Sequence, residues 1–259
     1  MSTGTGYPAQ DKPAIRIDLN ADLGECGPSD SGLLELVSSA NISCGAHAGN
    51  VASIRQALSD AALNNVRIGA HPSYPDREHM GRRTMKIAKE RLRDSILHQL
   101  TTLQNLAREQ GLVLGHVKAH GALYNDAACD PDLAMNFCQW IKEFDSTLII
   151  VGLAGGEQLK SAQQSGLRWR AEAFVDRTYA PDGSLVPRTH PKALIHDQET
   201  ALAQCLSIIR EGHTIGLDGQ PVRISASTFC IHGDSPSALS FARSLHHCLT
   251  AQGISIAAD

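Results

Sequence analysis

Basic patches, long apolar runs and abundant aromatic residues are all missing from this sequence. Phe, Trp and Tyr make up 4% of its 259 residues, and the formal net charge at pH 7 is −4. Proteins that bind nucleic acid or anionic membranes usually present a concentrated basic surface, and a transmembrane helix needs about 20 consecutive apolar residues. The composition therefore predicts neither a nucleic-acid partner nor a membrane partner.

Cysteine pairs with disulfide, redox or zinc-binding spacing are also missing. The seven cysteines form no C-x-x-C pair and their number is odd, which favours reduced thiols in the cytosol over a disulfide framework. The first residues, MSTGTGYPAQDKP, contain no apolar segment of the kind found in a signal peptide. We expect a cytoplasmic protein with a flexible N-terminal tail over residues 1–13 and a single domain over residues 14–259.

The sequence contains no standard motif for a phosphate-binding loop or a nucleophilic serine. G-x-x-x-x-G-K-[ST], G-x-G-x-x-G and G-x-S-x-G do not occur, so no nucleotide site or serine triad of those kinds is indicated. Any chemistry must come from other residues.

Seven β-rich segments are present, separated by stretches of helical periodicity. Most are continuous apolar runs, typical of parallel strands covered on both faces. Alternating strands and helices predict an α/β fold, a TIM-like, seven-stranded parallel β/α barrel, with a doubly wound open sheet as the alternative. The predicted strands are residues 15–19, 40–44, 66–70, 113–117, 148–153, 167–172 and 223–231.

Two helices illustrate the periodicity. Apolar residues spaced by three and four form one stripe at Leu92, Ile96, Leu100, Leu103 and Ala107. A second stripe, at Leu202, Leu206 and Ile209, ends at Gly212, a residue suited to a helix C-terminus. Between this helix and the sixth strand, residues 175–198 are irregular, and we expect a long excursion over the site with a small hairpin near Pro181.

Polar side chains follow nearly every predicted strand. In parallel β/α barrels catalytic groups gather at the carboxyl ends of the strands, so we expect these side chains to share one rim. They are Asp18, Asn20, Asp22 and Glu25 after the first strand, His47 and His71 after the second and third, Lys118, His120 and Tyr124 after the fourth, Glu172, Asp176 and Arg177 after the sixth, and His232 after the seventh.

Some of these residues also have a purely structural interpretation. Asp18 is equally suited to bonding strand-end amides and to a site role. A lysine in an apolar strand is costly unless it is paired, which favours a functional Lys118. We expect His116 to point to the opposite face of the strand and to act in packing.

Several long motifs occur in order from about residue 15 to the C-terminus. They are DLNADLGE (18–25), SANISCGAHAGN (39–50), GAHPSYPD (69–76), HVKAHGALYN (116–125), EAFVDRTY (172–179), DGSLVPR (182–188) and CIHGDSP (230–236). With these motifs the chain resembles the lactam utilisation protein family, the A subunit of the prokaryotic ATP-dependent 5-oxoprolinase. The resemblance implies a barrel of the glycoside hydrolase/deacetylase type, conversion of 5-oxo-L-proline to L-glutamate with ATP going to ADP and phosphate, and a complex with two further subunits, B and C.

The resemblance also implies a set of site residues. Phosphate transfer to the amide oxygen would activate the ring for attack by water, which rationalises the need for ATP. The hypothesis assigns proton abstraction to Asp22 or Glu172, protonation of the nitrogen to His120 or His71, and charge stabilisation to Lys118. The residues assigned to substrate binding are Asn20, Glu25, His47, Tyr124, Asp176, Arg177 and His232, with Arg177 on the substrate carboxylate.

Three questions stay open at this point. ATP could bind this chain or a partner. Asp22, His47 and His71 could hold a divalent metal, in which case the chain would be a metal-dependent deacetylase or amidase. The chain could also be a non-catalytic subunit that only binds the substrate.

Overall fold

Seven parallel strands form a closed barrel in the computed structural model, which describes residues 15–233 and 238–258. The predicted tail over residues 1–13 and the end of the last motif, residues 234–236, lie outside the described residues. The first six strands are β1 (Arg16–Leu23), β2 (Ser39–Ser43), β3 (Arg67–His71), β4 (His116–Lys118), β5 (Ile149–Leu153) and β6 (Trp169–Phe174). A small antiparallel pair follows, formed by β7 (His213–Ile215) and β8 (Pro221–Arg223).

The strand β9 (Thr228–Ile231) closes the barrel. Thr228 pairs with Glu172 of β6 on one side and with Asp18 of β1 on the other, both in parallel register. The short strand β10 (Ser255–Ile256) pairs with the start of β1 outside the ring. The predicted seven-stranded barrel is therefore confirmed, and the open sheet is not.

Eight helices cover the outside of the barrel within the described residues. The stripe predicted from Leu92 to Ala107 is buried in α3. In α7 the fully buried face is rotated by one residue and contains Ala201, Gln204, Cys205 and Ile208, while the predicted Leu202, Leu206 and Ile209 are partly buried against the core. The helices are α1 (Asp30–Leu34), α2 (Val51–Leu63), α3 (Lys89–Glu109), α4 (Gly121–Cys129), α5 (Pro131–Phe144), α6 (Glu157–Gln164), α7 (Gln198–Glu211) and α8 (Ala238–Ala251).

The rotation of the buried face of α7 is explained by a polar contact. The side-chain amide of Gln204 points inward and donates to the backbone oxygens of Phe174, Val175 and Arg177 at 2.9–3.2 Å. These oxygens belong to residues at the end of β6 and just after it, and without Gln204 they would lack this donor. The helix face that carries Gln204 therefore packs against the barrel.

The inside of the barrel is polar, contrary to the continuous apolar strands expected from the sequence. In β1 the residues Asp18, Asn20 and Asp22 make polar contacts across the interior, while Ile17 and Leu19 join the apolar layer. This strand runs to Leu23, four residues beyond its predicted end. Its sequence, RIDLNADL, alternates with period two, as expected when the two faces of a strand meet different surroundings.

Polar contacts fill the lower part of the barrel. Asp18 accepts hydrogen bonds from Ser38, Ser39 and Thr228 at 2.6–2.8 Å, which accounts for it structurally. His116 contacts Asn41 at 2.8 Å between ring Nε2 and amide oxygen. His116 and Lys118 thus both point into the barrel, as residues two apart in a strand must, and the expected opposite orientation of His116 is wrong.

The segment after β6 forms one wall above the barrel. Its predicted hairpin is present, with a bridge between Tyr179 and Leu185 and a 2.9 Å bond from the Gly183 amide to the Ala180 oxygen. The seventh predicted strand, residues 223–231, is shorter than expected: β9 begins at Thr228, and Arg223 at the predicted start pairs with His213 of β7. Among residues 15–233 and 238–258, no helix combines the length and apolar character needed to cross a membrane.

Candidate active site

A cavity of about 650 Å³ opens at the carboxyl ends of the barrel strands. Eight of the twelve predicted site residues line it, and they come from five of the seven strands or the loops that follow them. The other four, Asn20, His47, Glu172 and Asp176, lie behind these and contact them. The eight lining residues are Asp22, Glu25, His71, Lys118, His120, Tyr124, Arg177 and His232.

A buried ammonium group forms the floor of the cavity. Lys118 Nζ lies 2.9 Å from Asp22 Oδ1 and 2.8 Å from Glu172 Oε1, and its side chain is 2% exposed. Burial opposes the charge, but the carboxylates of Asp22 and Glu172 hold the pKa of Lys118 well above its ordinary value. Lys118 is therefore a permanent cation at neutral pH.

Asp22 connects the lysine with the histidines. Its Oδ1 accepts a bond from Asn41 at 2.9 Å in addition to Lys118, and its Oδ2 lies 3.2 Å from His71 Nε2. Although burial opposes ionisation, His71 and Lys118 hold the pKa of the Asp22 carboxyl well below its usual range. A carboxylate so strongly stabilised is a weak proton acceptor.

Glu172 lies behind the lysine and is fully buried. Its Oε1 accepts a bond from Asn20 at 3.0 Å as well as from Lys118, while Oε2 has no hydrogen-bond partner among the described residues. The hydroxyl of Tyr124 also lacks a partner there, and burial together with Glu172 raises the pKa of this phenol well above its ordinary value. Glu172 and Asn20 position the lysine and do not themselves line the cavity.

Three histidines lie side by side at the next level. His71 Nε2 is 2.9 Å from His120 Nδ1, and the rings of His47 and His120 stack at 3.7 Å between centroids. His71 Nδ1 faces the Lys118 carbonyl at 2.9 Å, and His120 Nε2 faces the Met80 carbonyl at 3.0 Å. Burial and the neighbouring rings of His71 and His47 hold the pKa of His120 well below its ordinary value, so this ring is neutral at pH 7.

Glu25 closes the histidine group toward the cavity. Its Oε1 lies 2.9 Å from His47 Nε2 and 3.5 Å from His120 Nδ1. Gly81 packs against two of these side chains: its φ of +64° favours glycine, and a Cβ atom there would lie 3.0 Å from both His47 and His120. The sequence motifs containing these residues are thus brought together as predicted.

The opposite wall carries His232 and Arg177. His232 Nδ1 contacts both Asp176 oxygens at 2.8 and 2.9 Å, and its ring stacks on Phe174. Arg177 donates to the Val186 oxygen at 2.7 Å and to the Ala193 oxygen at 3.3 Å, so part of its guanidinium holds the segment over residues 175–198 in place. Burial lowers the pKa of Arg177 to about 10, which still leaves it charged at neutral pH.

The predicted site set leaves out several residues of the cavity wall. Arg82 and Arg188 line it, as do Asp30 and Met80. Met80 and Cys26, which also lines the cavity, have positive φ angles of 51° and 69°, an unusual conformation for residues other than glycine. Nothing in the residue types of Met80 and Cys26 predicts this conformation. For the arginines the sequence offers a signal: Arg82 directly follows Gly81, and Arg188 ends one of the family motifs.

Three groups of side chains in the described residues have spacing suited to a metal ion. The predicted trio of Asp22, His47 and His71 is not among them, because His47 Nε2 is turned toward Glu25 and His120 takes its place beside Asp22 and His71. The groups are Asp22, His71 and His120; Glu25, His47 and His120; and Asp22, Cys230 and His232.

Comparisons with known proteins match nearly the whole chain. A profile described as the LamB/YcsF family matches residues 17–258. The lactam utilization protein of Thermus thermophilus is 38% identical, with a TM-score of 0.87 over 95% of this chain and 100% of that one.

Two more distant structures share the fold alone. A putative cellobiose-phosphate cleavage protein of Enterococcus faecalis is 12% identical, with a TM-score of 0.54 over 94% of this chain and 97% of that one. The catalytic domain of a peptidoglycan N-acetylglucosamine deacetylase of Eubacterium rectale is also 12% identical, with a TM-score of 0.51 over 98% and 91%.

Proposed function

Since this chain belongs to the LamB/YcsF family, we propose that it is the A-type subunit of an ATP-dependent 5-oxoprolinase. The reaction is hydrolysis of 5-oxo-L-proline to L-glutamate, with ATP going to ADP and phosphate, in a complex with two further subunits, B and C. The similar Thermus protein is a lactam utilization protein, which supports a cyclic amide as substrate. The structural observation that carries the proposal is the Lys118 cation on the cavity floor between Asp22 and Glu172.

This cation suits the chemistry of an amide. Attack of water on an amide carbon, or on its phosphorylated form, places negative charge on oxygen. Lys118 is held by Asp22 and Glu172 before substrate arrives, so little reorganisation is needed when that charge develops. Its carboxylate partners keep it from losing its proton to solvent at neutral pH.

We assign the proton transfers to Glu25. This carboxylate lines the cavity, and His47 holds its Oε1 at 2.9 Å. It would take a proton from the attacking water and deliver it to the ring nitrogen as the C–N bond breaks, which frees the amine. Where the amide oxygen carries the phosphoryl group, this step leaves an acyl phosphate, and a second water then releases phosphate and the new carboxylate, so the overall reaction consumes two waters. His120 fits the role of acid less well, because its ring is neutral in the free protein.

Arg177 and His232 face the other end of the substrate in this proposal. A guanidinium pairs well with a planar carboxylate, and Arg177 lines the cavity even though two backbone oxygens already use part of it. The substrate carboxylate would lie on this wall, opposite Glu25.

The test is ATP-dependent release of glutamate from 5-oxoproline by the full chain combined with its two partner chains. We expect turnover only when all three are present, and we expect Glu25→Gln to lower kcat by about 100-fold or more. Glu78→Gln, at a carboxylate whose side chain is 87% exposed, is the matched control and should retain full activity. Normal turnover by Glu25→Gln would instead favour a non-catalytic binding subunit.

A measurement of nucleotide binding to the isolated chain decides whether ATP binds this chain or a partner subunit. The absence of the familiar phosphate-loop motifs from the sequence leads us to place ATP on the partner subunits. Saturable binding of ATP to this chain alone, measured by calorimetry, would contradict that placement.

A second candidate function is a metal-dependent deacetylase. The specific observation in its favour is the group formed by Asp22, His71 and His120 on the cavity wall. Release of acetate from N-acetylated sugars by the chain alone, without ATP, would support it over the lactam reaction.

A further inference from the structure

The contact between His71 and His120 has an unusual hydrogen-bond pattern. The far nitrogen of each ring faces a backbone carbonyl, Lys118 O in one case and Met80 O in the other, at 2.9 and 3.0 Å. A carbonyl oxygen only accepts, so each of those nitrogens carries a proton. In neutral rings the two facing nitrogens, His71 Nε2 and His120 Nδ1, then both present lone pairs to each other at 2.9 Å.

Two lone pairs at this distance repel unless a positive species lies close to both. The backbone carbonyls prevent either neutral ring from relieving the repulsion by changing tautomer, because the far nitrogen would then lose its bond. Backbone carbonyls that fix the tautomer of a histidine in this way are a common feature of metal sites.

A carboxylate oxygen completes the set. Asp22 Oδ2 lies 3.2 Å from His71 Nε2, while Lys118 and Asn41 both bind the other oxygen and so fix the orientation of the carboxylate. Tetrahedral zinc with bonds of about 2.0–2.1 Å separates its ligand atoms by roughly 3.3–3.4 Å. The spacings of 2.9 and 3.2 Å here are within a few tenths of an ångström of that value.

We propose that Asp22 Oδ2, His71 Nε2 and His120 Nδ1 bind one divalent transition-metal ion of the zinc type. Two imidazoles and one carboxylate suit such an ion. Bound there, the ion would supply Lewis-acid polarisation of a carbonyl oxygen. The proposal concerns binding by this chain and holds whether the substrate is a lactam or another amide.

The neighbouring groups are less suited to be the ligand set. Cys230 Sγ lies 3.2 Å from the Lys118 ammonium, which repels a second cation, and His232 Nδ1 is already bound to Asp176. Glu25 Oε1 is 4.0 Å from His71 Nε2 and is already held by His47, so it suits the role of ligand less well than Asp22 Oδ2 does.

The test uses the full chain without an affinity tag, stripped of metal and titrated with Co²⁺. We expect one ion per chain and visible absorption bands of a low-symmetry site with nitrogen and oxygen ligands. His71→Gln and His120→Gln should each weaken the affinity by about 100-fold or more. His98→Gln, at an exposed histidine of α3, is the matched control and should bind like the unaltered chain.

Far-ultraviolet circular dichroism and thermal unfolding show whether the variants fold. Paramagnetic effects of Co²⁺ on the histidine ring signals of the unaltered protein give a readout that needs no variant, and we expect them at His71 and His120 first. The proposal is overturned if the unaltered chain binds no stoichiometric ion, if the two variants bind as tightly as the control, or if ring spectra show a proton shared between the two nitrogens that metal does not displace.

Discussion

At the scale of single residues, Lys118 is the most constrained side chain of the cavity. A buried ammonium group is costly without partners, and Asp22 and Glu172 both lie within 2.9 Å of it. The buried carboxylate also needs the lysine, since Glu172 is fully buried and has Lys118 as its cation. The three charges are therefore stable only as a group.

Lys118→Met should abolish turnover and also lower the free energy of unfolding, because it leaves two carboxylates buried without their cation. We expect a loss of about 3–5 kcal/mol in urea denaturation at pH 7. Lys118→Met combined with Glu172→Gln should regain part of this loss, since one of the uncompensated charges is removed. Equal stabilities of the single and double variants would show that the two side chains are not coupled.

Asp30 should make the protein less stable as the pH rises. Burial raises the pKa of this carboxyl to about 6 in the folded protein, above its value of about 4 in the unfolded chain. Between these values the folded state holds a proton that the unfolded state has lost, so the free energy of unfolding falls as pH increases from about 4 to about 6.

Asp30→Asn should remove this slope and raise stability at pH 7 by about 1 kcal/mol, an amount reduced because the carboxyl is partly exposed. Denaturation at several pH values between the two pKa values and neutrality measures it. An unchanged slope in the variant would assign the pH dependence to another group.

At the scale of elements, the start of α2 accounts for the polar residue at position 50. The side chain of Asn50 accepts bonds from the amides of Ala52 and Ser53, while Ser53 accepts a bond from the Asn50 amide in return. Asn and Asp serve equally well at such a helix start. Position 50 is thus structural, and no site role is needed to account for it.

Asn50→Ala should lower the free energy of unfolding by about 1 kcal/mol because the amides of Ala52 and Ser53 lose their acceptor. Asn50→Asp should leave stability unchanged or slightly higher, since a negative charge is favourable at a helix N-terminus. Chemical denaturation of both variants provides the comparison. A large loss in Asn50→Asp would mean that the amide group has a further role.

The strands β3 and β4 approach each other closely at Gly69. A Cβ atom there would lie 2.2 Å from the ring of His116, so Gly69→Ala should cost about 2–3 kcal/mol in chemical denaturation. Replacing His116 by Ala in the same chain should recover part of the cost. Gly115→Ala is the control, because its added atom would lie 3.1 Å from the side chain of Arg67, which is flexible enough to move aside.

The sequence predicts the seven strands and the rim of site residues because both depend on local pattern: an apolar segment and the polar side chains directly after it. It does not predict which rim residues touch. The contacts of His120 with His47 and His71 join three separate segments of the chain, and Gly81, from a fourth, packs against His47 and His120. The polar interior could have been inferred from the alternation in β1, whereas the inward turn of Gln204 depends on carbonyl groups that only the folded chain brings to it.

At the scale of the whole molecule, the outer helix α7 supports the cavity wall through Gln204. Its amide joins three backbone oxygens at the root of residues 175–198, and its oxygen accepts a bond from Thr214 at 2.9 Å. Gln204→Leu should therefore displace Arg177 and His232, raising KM more than it lowers kcat. Gln163→Leu, at an exposed residue of α6, is the control, and equal kinetics in both variants would contradict the link.

The charged group of Asp22, Lys118 and Glu172 also limits how this protein can evolve. The three residues come from β1, β4 and β6, far apart in the gene, yet replacing any one of them leaves the charges of the others buried without their partner. A lineage that drifts at one position loses function before it can change the next, so no path of single neutral steps leads away from the trio. Related chains should therefore keep all three together or replace them together.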